Sequence, residues 1–302
     1  MSEIYIDGKK LYYEEYGDRS NPCLMILHGG PGASCIDFTR PAEWLSDRLY
    51  VILLDQFGCG RSGYFEEGSD EKFGMPEHLE QIEKFREYLG IEKWNILGQS
   101  YGGMLAALYA NRYPESIEKV IYECPSWNFV ESSKSITKYF CDRFLKKNNL
   151  TEALTIADEI MNADYTGREM DSMLDILKIQ PYITDMATLF YLHGTTVEDC
   201  LADYAALGLD EREMDKAAET HMMKIAEEGS MFMDFLPLIT ENIQPSLLIE
   251  GCYDPACTMY QRFYYIDNAR DGRIINLDNC GHWPHLECKD EYQKAVKDFL
   301  LG

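Results

Sequence analysis

Short apolar runs separated by amphipathic stretches fill the first 125 residues, give way to a long charged helical segment, and return near the end. The runs predict strands near 3–6, 10–16, 23–27, 49–54, 94–98, 118–122, 246–250 and 273–277. Val51-Ile52-Leu53-Leu54 is apolar at every position, as a strand covered on both faces of a parallel sheet must be. Between Pro76 and Leu89 the spacing changes to that of a helix, with Leu79, Ile82, Phe85 and Leu89 on one face. Strand alternating with helix predicts a mostly parallel sheet with helices on both sides. The alternation stops after Cys124-Pro125: Ile136–Leu145, Glu152–Met161, Met170–Leu177 and Asp210–Glu227 read as amphipathic helices, with no convincing strand among them. The expected architecture is therefore α/β, an eight-stranded sheet with a helical cap inserted between strands six and seven. Its parts are core residues 1–125, cap residues 126–241 and core residues 242–302.

Composition narrows the partners. The chain has 302 residues, 46% of them hydrophobic, enough for one large packed core. Acidic residues outnumber basic ones 52 to 28, and the net charge of −24 repels phosphate backbones and anionic lipid. Nucleic acid and membrane surfaces are thus excluded as expected partners, leaving a small molecule or short peptide; oligomeric state is open. The ten cysteines include no Cys-x-x-Cys pair, and Met1–Asp7 lacks a basic stretch followed by an apolar one. No apolar run approaches the ~20 residues of a membrane span. The expectation is a cytoplasmic protein with reduced thiols.

The chemistry is densest at Gly98-Gln99-Ser100-Tyr101-Gly102, which lies between the apolar run Trp94–Leu97 and the helical pattern from Met104. Gly-x-Ser-x-Gly between strand and helix is a nucleophile elbow, with Ser100 exposed at the top of a turn that only small neighbours permit. A serine nucleophile needs a base, and the base an orienting acid. Asp254 follows the seventh predicted strand and His282 the eighth, so both fall at the carboxyl edge where Ser100 emerges. The chain order Ser, Asp, His is that of α/β-hydrolases. After the third strand, His28-Gly29-Gly30-Pro31-Gly32 offers a turn whose N–H groups approach a substrate oxygen; the oxyanion hole is assigned to the N–H groups of Gly30 and Tyr101. His28 itself is expected to be structural.

These motifs, with Asp55-Gln56-Phe57-Gly58-Cys59-Gly60-Arg61-Ser62 and Gly103-Met104, resemble the prolyl aminopeptidase (proline iminopeptidase) family of cap-bearing α/β-hydrolases, across about residues 1–125 and 242–302. The resemblance implies acyl transfer to Ser100 and removal of an N-terminal residue, often proline, from small peptides. It also implies an acidic side chain that binds the substrate ammonium. Glu219, in Ala218-Glu219-Thr220-His221, resembles such a position, although a solvated helix face is the competing reading. Two departures stand out. Phe57 occupies a place where the family usually carries arginine, and Pro255 follows Asp254 where some relatives have a second acid.

Two other groupings bear on the site. Cys280, His282, His285 and Cys288 have zinc-like spacing, but His282 is needed as the base, so no metal is expected there, and nothing calls for a cofactor. Trp127 is expected to contact substrate; Phe129, Tyr139, Phe140, Phe232 and Phe235 are divided between a pocket and helix packing. A cytoplasmic carboxylesterase, amidase or lactonase acting on a neutral molecule is the alternative function. A silent ligand-binding protein on the same scaffold is a further rival, against which the full set of catalytic groups argues.

Overall fold

The computed structural model describes residues 2–182 and 197–302. Its strands are β1 (Ser2–Ile6), β2 (Lys9–Tyr16), β3 (Cys23–Leu27), β4 (Tyr50–Asp55), β5 (Trp94–Gln99), β6 (Ile117–Glu123), β7 (Ser246–Gly251) and β8 (Gly272–Leu277). They form one eight-stranded sheet in the order β1-β2-β4-β3-β5-β6-β7-β8. The pairs β1–β2 and β2–β4 are antiparallel; every pairing from β4 through β3 to β8 is parallel. The α/β-hydrolase arrangement expected from the sequence is the one observed, and each expected strand lies within a residue or so of the one found.

The two-faced apolar runs explain why the sheet is sandwiched. Met25, Leu27, Ile52 and Leu54 point into one buried cluster, while Leu24, Ile26, Val51 and Leu53 point into the cluster on the opposite face. Alternate residues of a strand face opposite sides, so a strand apolar at every position binds two layers at once. Among the helices that cover the core are α1 (Thr39–Leu45), α2 (Met75–Tyr88) and α3 (Tyr101–Arg112). On α2 the predicted stripe is the buried one, with Leu79, Ile82 and Phe85 facing the sheet. Its start is fixed by Glu77, whose carboxylate accepts the Gly74 N–H at 2.8 Å.

Between β6 and β7 the described residues form α4 (Phe129–Phe140), α5 (Thr151–Asn162), α6 (Met170–Ile179), α7 (Val197–Leu207), α8 (Glu211–Glu228) and α9 (Leu236–Glu241). Residues 183–196 of the proposed cap lie outside the described residues. Helices α4 to α6 carry an apolar cluster of their own, including Phe140, Leu145, Ala157 and Ile160. A single bridge, Asn128 to Asp234, ties the start of this helical stretch to its end. After β7 come α10 (Met259–Asn268), α11 (Pro284–Glu287) and α12 (Lys289–Leu301). Cys23, Cys35, Cys59, Cys124, Cys141, Cys252, Cys257, Cys280 and Cys288 are free thiols. No helix among the described residues is long and apolar enough to cross a membrane.

Candidate active site

Ser100 directly follows β5 with φ 53° and ψ −115°, and α3 begins at the next residue. That turn requires the flanking glycines: a Cβ at Gly98 would sit 2.1 Å from the Gly102 carbonyl oxygen, and one at Gly102 would sit 2.2 Å from that of Leu27. The Ser100 N–H is anchored to the Glu123 carbonyl at 2.9 Å, so the strained residue hangs from the end of β6. The first turn of α3 lies directly behind the hydroxyl, and the positive end of its dipole favours negative charge there.

His282 and Asp254 meet across the ends of β7 and β8. The imidazole Nδ1–H donates to Asp254 Oδ1 at 2.7 Å, an assignment made because a carboxylate only accepts. Asp254 also accepts the N–H groups of Ala256 (2.9 Å) and Cys257 (3.1 Å). Burial alone would raise this carboxyl, yet His282 and the two backbone donors hold it below the usual carboxylate range. With Nδ1 committed to Asp254, Nε2 is left as the atom that takes and gives protons.

Ser100, His282, Gly30 and Tyr101 share the wall of one cavity of about 80 Å³. Gly30 has φ +122°, a conformation that glycine alone adopts freely. The rest of the wall is largely apolar, from Pro31, Met104, Phe129, Ile136 and Met231, and among the described residues no carboxylate lines it. The arrangement places a hydroxyl, an oriented imidazole and two backbone positions around a space fit for a small acyl group. Such a set performs acyl transfer to serine.

Glu219 and Trp127 fall elsewhere. Glu219 is exposed on α8 and absent from the cavity wall. The buried stripe of that helix is Ala217, His221 and Ile225 at four-residue spacing, and a residue two positions away points to the opposite side. Trp127 is fully buried, stacked on Tyr265 with centroids 5.5 Å apart and set edge-on to Tyr122. Its carbonyl accepts the Phe235 N–H, which turns the ring into the core. Of the aromatics flanking the helical stretch, Phe129 lines the cavity. The zinc-like spacing also disperses: His282 faces Asp254, whereas His285 Nδ1 bonds Glu123 Oε1 at 2.5 Å and stacks on Phe38. His28 is structural, its Nε2 accepting the Gln56 N–H at 3.1 Å.

Several contributors escaped the sequence reading. Glu123 is buried behind Ser100 and accepts from His285 N–H and Tyr292 Oη. The Tyr101 hydroxyl lies 3.3 Å from His78 Nδ1, and His78 stacks on His221 of α8. His221 in turn donates Nδ1–H to the Phe57 carbonyl at 2.9 Å. Burial, with His28 nearby, pushes the His221 imidazole down to about 3 against the opposing pull of the Phe57 carbonyl. The unfolded chain protonates this histidine near its ordinary value of about 6.5. Between those values the unfolded state therefore binds a proton that the folded state refuses, and stability falls as pH falls through the window. Urea unfolding from pH 6 to pH 4.5 should show a slope shallower in His221→Phe than in the parent, by up to about 1.4 kcal/mol per pH unit. Equal slopes would count against a neutral, buried His221.

Comparison with known proteins identifies the fold and the family. A family model described as alpha/beta hydrolase fold matches residues 22–288. A proline iminopeptidase of Neisseria gonorrhoeae is 35% identical over 336 residues, covering 99% of this chain and 94% of its own. One of Lactobacillus helveticus is 28% identical over 297 residues, covering 97% and 95%. Among solved structures, a proline iminopeptidase of Mycobacterium smegmatis superposes with a TM-score of 0.72 at 19% identity, over 99% of this chain and 97% of that one. A meta-cleavage product hydrolase of Pseudomonas fluorescens superposes with a TM-score of 0.68 at 18% identity, over 100% and 97%.

Proposed function

We propose, for a chain that belongs to the α/β-hydrolase family and to its proline iminopeptidase branch, that Ser100, His282 and Asp254 act as a catalytic triad releasing N-terminal proline or another small residue from short peptides. The observation that carries the reading is the 2.7 Å His282–Asp254 bond beside a small cavity that His282 shares with Ser100. Ser100 Oγ attacks the carbonyl of the N-terminal residue while His282 Nε2 takes its proton. The N–H groups of Gly30 and Tyr101 receive the developing oxyanion. His282 then returns the proton to the leaving amine, and the serine ester is hydrolysed by a water that the same imidazole deprotonates. Asp254 keeps the imidazole in the useful tautomer throughout. The cavity's small volume and apolar wall suit a compact acyl residue such as proline.

One observation favours a second reading, hydrolysis of a neutral ester, amide or lactone. A substrate ammonium buried without a counter-charge is costly, and the described wall carries no carboxylate. A substrate panel separates the two: a proline arylamide, an alanine arylamide and a short-chain aryl ester, each with the parent protein and Ser100→Ala. A marked preference for the proline arylamide, lost in the variant, is the expected result. Because Glu219 is exposed, Glu219→Gln should leave the arylamide KM unchanged. Ester turnover without arylamide turnover would overturn the peptidase reading in favour of the neutral substrate.

A further inference from the structure

The acyl-transfer scheme uses Asp254 and His282 but leaves a third reactive group beside them unused. Cys124 directly follows β6, one residue beyond Glu123, wholly buried, with a positive φ of 42°. Its backbone N–H donates to the Ile249 carbonyl at 2.9 Å, which fixes it against β7, the strand that leads to Asp254. Its Sγ, a carboxylate oxygen of Asp254 and a ring nitrogen of His282 all lie within 4.8 Å of one another. This is the only such group of three potential ligands among the described residues, and all three members are buried.

We propose that Cys124, Asp254 and His282 form an inhibitory site for a thiophilic divalent cation such as zinc. Tetrahedral zinc holds sulfur at about 2.3 Å and nitrogen or oxygen at about 2.0–2.2 Å, so its ligand atoms stand roughly 3.3–3.8 Å apart. The three donors would close on binding from their separation of up to 4.8 Å to that spacing. On binding, the Cys124 thiol releases its proton to solvent and the ion gives up water for sulfur, oxygen and nitrogen. Thiolate and carboxylate together carry two negative charges, which balance the cation in a buried place where net charge is costly. The soft sulfur and the imidazole favour zinc over magnesium or calcium. His282 lines the cavity, so the ion arrives by the route that a substrate takes. The carboxylate and imidazole it captures are the pair joined by the 2.7 Å hydrogen bond, and while the ion stays they no longer serve Ser100.

The inhibition part rests on the proposed triad; the binding part does not, and the experiment reads them separately. Zinc titrations would use Cys252→Ser as parent, to remove the exposed thiol, and compare it with Cys124→Ser and Cys124→Ala in the same background. The zinc concentration for half-inhibition should rise roughly tenfold or more in both variants, with kcat/KM without metal within about twofold of the parent, and a chelator should restore the parent. Cobalt, read without any substrate, should give a near-ultraviolet sulfur-to-cobalt band in the parent that both variants lose. Cadmium NMR of the parent should report a sulfur ligand, a readout that needs no variant at position 124. Absence of the sulfur-to-cobalt band and of a sulfur-bound cadmium signal, or equal zinc sensitivity in all three proteins, would overturn the site. Metal binding without any turnover would instead count against the proposed triad.

Discussion

Asp254→Asn should lower kcat roughly 10⁴-fold while leaving KM within a few-fold and the fold intact. The loss follows from hydrogen-bond accounting. In the folded protein both carboxylate oxygens accept: Oδ1 from His282 and the Ala256 N–H, Oδ2 from the Cys257 N–H. An asparagine supplies one acceptor oxygen and one donor nitrogen. With its oxygen on the Cys257 N–H, its NH₂ stands in the place of Oδ1 and faces the imidazole. His282 then carries its proton on Nε2, the atom that has to take the proton of Ser100. The geometry survives and the tautomer is wrong. Steady-state kinetics on the best substrate of the panel, with a thermal melt to check folding, measures this. A loss below tenfold would mean that Asp254 does not orient the base.

Arg61→Ala should cost about 3–5 kcal/mol of stability, a fall in Tm of roughly 5–8 °C for a chain of this length. Arg61 sits between two buried carboxylates. Its Nε bonds Asp55 at 3.0 Å, and one terminal nitrogen bonds Glu14 at 2.6 Å and the Tyr12 hydroxyl at 3.1 Å. The guanidinium also lies 4.0 Å from the centre of the Tyr12 ring. Asp55 is fully buried and already takes the Ser34 hydroxyl and the Cys35 and Arg61 N–H groups. Burial pushes that carboxyl up, but Arg61, His28 and the hydrogen bonds outweigh it and hold it below its ordinary value. Without Arg61, two carboxylates face each other's field in a dry site. Adding Glu14→Gln should recover part of the loss, because one of the stranded charges is then gone. Calorimetry of the single and double variants tests both statements; an unchanged Tm in Arg61→Ala would refute the argument.

The same residues show what a sequence can and cannot disclose about a site. The placement of Ser100, Asp254 and His282 is legible because each follows a strand, and strand ends converge at one sheet edge whatever the intervening length. The core strands are legible for the same local reason: Val51–Leu54 has no polar face to hide. Glu219 misled because a four-residue motif ignores helix rotation. The stripe of Ala217, His221 and Ile225 was present in the sequence and would have turned Glu219 outward. Trp127 misled because position at the mouth of a helical segment says nothing about which way a ring points. Phe57 was readable only as a missing charge; in the fold it completes an aromatic cluster with Phe65 and Phe73 and receives the Lys9 ammonium at 4.4 Å. Cys124 carries no local signal, since the neighbours it meets, Asp254 and His282, lie far along the chain.

The most direct measurement is intact-mass spectrometry after exposure to an activated phosphonate ester, followed by peptide mapping. A serine raised on its elbow and served by His282 should take up a single adduct, mapped to Ser100 and lost in Ser100→Ala. It should also form far more slowly in Asp254→Asn. No adduct on the parent protein, or an adduct on another residue, would contradict the assignment of Ser100 as the nucleophile.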